Sequence, residues 1–284
     1  MTKYLLLSVF TLVVALASAQ DKPAYELFNV KGNKTKYEKL LKEAQKADIV
    51  LFGEFHNNPI SHWLQLELTK DLNKRRKLIL GAEMFEQDNQ SALDLYLTGA
   101  ITQKGFDTMA RLWSNYKTDY APLVNFAKEK KLPFVATNVP RRYASLVARN
   151  GFEVLNGLTE NEKQWIAPLP IAYDSTLPGY KNMLTMMHGH GGANFPKAQA
   201  VKDATMAHFI LKNYQTGALF IHYNGAYHSD NYEGILWYLK KDRPDLKYLT
   251  ISTVTQKDLN KLLPEHKGKA DFIISVDDDM TTTF

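Results

Sequence analysis

The 284-residue sequence contains no cysteine. That excludes structural disulfides, thiolate metal sites, a thiol nucleophile and a lipidated amino-terminal cysteine. Any metal would have to be held by His, Asp, Glu, Tyr or Met. Beyond the amino terminus no apolar run is long enough to cross a bilayer, so the mature chain has no transmembrane segment. There is no internal repeat. Charge of neither sign is concentrated: the formal net charge is +5, and Lys74-Arg75-Arg76-Lys77 is the only dense run. That run falls between a helical and a strand pattern, as a solvated turn does, and nothing indicates a nucleic-acid partner.

What is present points to a filled core, with 45% hydrophobic residues. Lys3, an apolar stretch over 4–16 and Ala17-Ser18-Ala19 before Gln20 have the form of a cleavable signal peptide over 1–19. The expected mature chain, 20–284, is then periplasmic or secreted. Buried-strand patterns at 48–52, 78–82, 134–137, 218–223, 248–254 and 272–276 alternate with helical ones such as 59–73 and 89–97. This predicts a single α/β domain with a mostly parallel central sheet flanked by helices. Residues 156–196 break the rhythm with prolines and glycines, and read either as a helical lid-like insertion or as a plain surface excursion.

Open α/β sheets bind ligands beyond the carboxyl ends of their strands. The first expected strand delivers Gly53, Glu54 and His56 there, and the second delivers Glu83 and Glu86. The third delivers Asn138, Arg141 and Arg142; the fourth delivers Asn224, Gly225, His228 and Asp230. Two of the ends share a Gly-x-x-His spacing, Gly53 with His56 and Gly225 with His228, and a glycine there lets backbone approach a ligand closely. Two imidazoles and two carboxylates suit a Zn or Mn site, with His56, Glu83 and His228 as metal ligands, or general acid and base catalysis. Each residue alone could equally cap a helix or satisfy buried backbone.

In the helix opening at Pro59, the spacing predicts a buried stripe of Ile60, Trp63, Leu64, Leu68 and Leu72, with His62 at the surface. In "FPKAQAVKDATMAHFI", Gln199 and Asp203 share the apolar side, so Asp203 is expected to orient a site histidine, to receive Arg141 or to form a structural ion pair. The stretch "PGYKNMLTMMHGHGG" sets methionines, Met187 among them, beside His188, His190 and Tyr180. Such residues form an adaptable wall and can ligate haem iron, although a Gly-rich turn with incidental histidines gives the same string.

The blocks "GEFHNNPISHWLQLEL", "GAEMFEQDNQ", "YAPLVNFAKEKKLPFVATNVPRR", "QAVKDATMAHFI" and "NGAYHSDNYEGILWYL" resemble, in the same order, those of the ChaN-like haem-binding uptake proteins. Their superfamily includes Tiki-type metalloproteases and erythromycin esterases. The resemblance implies an α/β fold, an extracytoplasmic setting, haem as ligand, tyrosine ligation of iron, pairing of two subunits around stacked haems and contact with an outer-membrane haem receptor. On it, Tyr180, His188 and His190 are candidate iron ligands, Met187 part of the haem wall, and Arg141 and Arg142 partners of the propionates. It also implies the alternative of a metal-dependent hydrolase, with Glu54, His56, Glu83 and His228 catalytic.

Overall fold

The structure is a computed structural model that describes residues 22–186 and 192–284. The expected signal peptide and Met187, His188 and His190 lie outside the described residues. Among the described residues seven strands form one sheet: β1 (Tyr25–Asn29), β2 (Ile49–Glu54), β3 (Leu78–Glu86), β4 (Phe134–Asn138), β5 (Leu219–Gly225), β6 (Tyr248–Gln256) and β7 (Phe272–Asp277). Their order is β1-β7-β6-β2-β5-β3-β4. Every neighbouring pair is parallel except β1 with β7. The expected mostly parallel α/β architecture is therefore what the chain forms. The six strands read from the sequence are joined by β1, whose five residues carry only two fully buried side chains and so leave little apolar signal.

Alternation along the strands divides the core. Val50 and Phe52 face a cluster with helices α1 (Tyr37–Ala44), α2 (Pro59–Asn73), α3 (Gln90–Leu97), α4 (Gln103–Met109) and α5 (Ala121–Lys130). Ile49 and Leu51 face the opposite cluster, built by α6 (Arg141–Asn150), α9 (Phe195–Asn213) and α10 (Ile235–Asp242). Between α6 and α9 run the short α7 (Glu160–Lys163) and α8 (Pro178–Met186). Tyr180 and Met183 of α8 pack on Ala200 of α9.

Helix α2 begins where expected, with Pro59 in the first turn and the Asn58 side chain accepting from the Ser61 amide at 2.9 Å. Its buried face is rotated from the expected stripe. His62 and Gln65 are buried, whereas Trp63 is 48% exposed and meets Tyr25 edge-on. The cause is polar. Ser61 bonds Thr253 at 3.0 Å, Thr69 bonds Tyr223 at 2.6 Å and Gln65 donates to Glu54, so the polar groups on this face are paired on burial.

Candidate functional site

The carboxyl ends of β2, β5 and β3 lie side by side in mid-sheet. Parallel register sets Gly53 opposite Asn224 and Glu54 opposite Gly225. The two Gly-x-x-His turns interlock. A Cβ on Gly53 would stand 2.8 Å from the Ala226 Cα and 2.9 Å from the Ile251 carbonyl oxygen; one on Gly225 would stand 2.8 Å from the His56 ring. The glycines thus admit the other motif, backbone in one case and imidazole in the other, rather than leaving room for a ligand.

One half of the site rises from the α2 face. Glu54 is buried and accepts from Tyr120 Oη at 2.6 Å, from Gln65, and from His56 Nδ1 at 3.0 Å. Tyr120 and Asn115 arrive on the short π-helical turn Tyr116–Tyr120 and the residue before it, and Asn115 Nδ2 donates to the His56 carbonyl at 2.6 Å. Burial opposes ionisation of Glu54, but the charge of His62 and the His56 hydrogen bond hold its carboxyl below the usual range. Burial likewise opposes charging of His56; the Glu54 hydrogen bond and the Glu83 charge outweigh it and raise its pKa. With Nδ1 on Glu54, the ring turns Nε2 toward Gly225.

The other half rises from the α9 face. Glu83 accepts from the Gly225 amide at 2.7 Å and meets His228 Nε2 at 3.1 Å. His228 Nδ1 lies 2.5 Å from Asp203 of α9, while the Gln199 amide nitrogen sits 2.9 Å from the ring Nε2 and 3.0 Å from Nδ1. Burial disfavours the charged His228, yet the carboxylates of Glu83 and Asp203 raise its pKa to about 9. Burial opposes ionisation of Glu83 as well, and the His228 cation holds its carboxyl well below the usual range. Of the partners open to Asp203, the structure selects a site histidine and not Arg141.

The two halves share one cleft of about 520 Å³. Glu54, His56, Glu83 and His228 meet in it, and Phe55, Met183, Phe195 and Tyr227 line it, with Lys202 and Lys269 beside them. The expected insertion over 156–196 contributes Met183 and Phe195. Tyr180, expected as an iron ligand, instead donates its hydroxyl to Asp203 at 2.8 Å. Burial, then Asp203, pushes its phenol far up, and the residue does not line the cleft. Neither arginine lines the cleft: Arg141 is exposed and Arg142 pairs with Asp88 at 2.7 Å. Glu86 is held by Arg111 at 2.8 Å. The expected metal set does not form: among the described residues no three His, Asp or Glu side chains are grouped to hold an ion. The reason is local, because Glu83 and His228 already spend their polar atoms on each other, on Gly225 and on Asp203.

Sequence reasoning missed Tyr120, Tyr227 and Lys202. Tyr120 is 66 residues from Glu54 and gives no local signal. Tyr227 and Lys202 adjoin recognised residues, His228 and Asp203, and Lys202 follows Gln199 at helical spacing.

Residues 40–239 match the family model described as haem-binding uptake, Tiki superfamily, ChaN. No curated protein sequence matches the chain. Among solved structures, ChaN of Campylobacter jejuni, described for its cofacial haem binding, superposes with a TM-score of 0.65 at 17% identity, covering 88% of this chain and 96% of that one. A succinoglycan biosynthesis protein (TM-score 0.51, 12% identity, 89% and 94% covered) and a Bacillus cereus protein (0.51, 9%, 89% and 95%) share the fold.

Proposed function

The chain belongs to the haem-binding uptake family of the Tiki superfamily that includes ChaN, and on that premise we propose that it is an extracytoplasmic haem-binding protein serving iron uptake, with haem as cargo in the cleft between the paired Gly-x-x-His turns. The supporting observation is the cleft itself. Its 520 Å³ is of the size of a small-molecule site, with an apolar wall of Phe55, Met183 and Phe195 facing polar groups. Burying a macrocycle's apolar faces there supplies most of the affinity. Among the described residues Tyr227 is the tyrosine that lines the cleft; it is 40% exposed and tied to the Gly179 carbonyl at 2.6 Å. Its phenol is our choice of iron ligand. Passage of haem to or from an outer-membrane receptor, and pairing of two copies mouth to mouth, belong to the same reading. No helix among the described residues is long and apolar enough to cross a membrane.

Haemin titration followed by the absorption band tests it. Saturable binding with a shifted band is expected; Tyr227→Phe should lose the shift and Tyr180→Phe keep it. Absence of saturable binding overturns the reading.

One observation supports a second, hydrolytic reading: Glu54 orients His56 through Nδ1, so that Nε2 is the ring nitrogen left to exchange a proton as general acid or, once neutral, as general base. Turnover of an activated ester, abolished in His56→Ala, is its expected sign; no turnover by the wild type rejects it.

A further inference from the structure

We propose that Lys202 is the acid-group anchor of the cleft, the residue that selects ligands carrying a carboxylate on an apolar body; this rests on the haem-binding reading and assigns recognition of the propionates. Helix α9 turns Phe195, Gln199 and Lys202, spaced four and three residues apart, into the cleft as one row. The other cations of the cleft have carboxylate partners. His56 sits on Glu54, His228 lies between Glu83 and Asp203, and Lys269 is 3.4 Å from Asp230. Lys202 is half-buried and, among the described residues, forms no salt bridge.

An ammonium with no carboxylate of its own gains a charge-assisted hydrogen bond from one brought by a ligand. The rest of the cleft directs an anion to the same place. On the floor Glu54 is paired with His56 and Glu83 with His228, so these groups already hold opposite charges, while Phe55, Met183 and Phe195 offer an anion no donor. An amphipathic acid therefore lies with its body on the apolar wall and its charge at Lys202. The arginines expected from the sequence to fill this role stand outside the cleft.

The test is a titration of the full chain with haemin and with haemin dimethyl ester, whose propionates are masked. Wild type should bind haemin about ten-fold tighter than the diester. Lys202→Met should bring haemin down to the diester's affinity and leave the diester unchanged, and Lys202→Arg should restore most of the difference. Haemin binding by Lys202→Met within about two-fold of wild type, or equal loss of both porphyrins, overturns the anchor while haem binding stands. Failure of wild type to bind either porphyrin rejects the haem reading and the anchor with it.

Discussion

At the scale of single residues, His228 carries the sharpest electrostatic consequence. Its pKa rises from the ordinary 6.5 to about 9 because the charges of Glu83 and Asp203 outweigh the cost of burial. A pKa raised by folding stabilises the folded state fully below the unfolded value, and the benefit is lost as pH climbs through the folded value. Thermal melts are accordingly expected to show a falling Tm between about pH 6.5 and pH 9.5. His228→Gln should have a lower Tm at neutral pH, since it leaves buried carboxylates without their cation, and a flatter profile across the same window. An unchanged alkaline slope in the variant would show that His228 does not carry the charge. The Gly-x-x-His spacing singled out His228 in the sequence but carried no sign of its charge. His222, three residues before Gly225, is equally buried, but burial drives its pKa down to about 4 and it serves as a neutral link between Thr137 and Asn224. What separates the two is the presence of Glu83 and Asp203, which only folding supplies.

At the scale of elements, legibility depended on how far a segment's role follows from its own residues. The bounds of α2 were readable because Asn58 and Pro59 are local signals; its buried face was not, because Glu54 and Tyr223 decide which polar groups can be buried. The edge strand β4 shows a second device that depends on distant residues. Gln90 of α3 donates to the Phe134 carbonyl at 3.0 Å and accepts from the Ala136 amide at 2.7 Å, and Gln87 donates to the Ala136 carbonyl at 2.8 Å. Two side-chain amides thus occupy backbone groups that would otherwise invite another strand. The double variant Gln87→Ala, Gln90→Ala is expected to lose on the order of 1–3 kcal/mol and to self-associate by light scattering. A monomeric variant of unchanged stability would contradict the protective role.

At the scale of the whole molecule, the topology explains why the site lies where it does. Inserting β5 between β2 and β3 brings two turns 172 positions apart, at Gly53 and Gly225, into adjacent register. The α2 face then supplies Glu54 and the α9 face supplies Asp203, so each imidazole is gripped from a different layer. This convergence was legible as a list of strand ends, since parallel α/β sheets place their ligands there. The partners in the walls were not, because Tyr120, Tyr227 and Lys202 come from turns and helix faces whose orientation the strand pattern does not fix.

The most direct measurement is haemin affinity after blocking this cleft without disturbing its core. Phe55 lines the cleft yet is 37% exposed, so Phe55→Glu should leave Tm nearly unchanged. The expected result is a loss of haemin affinity of about ten-fold or more. Wild-type affinity in a folded Phe55→Glu protein would contradict the assignment of this cleft as the haem site.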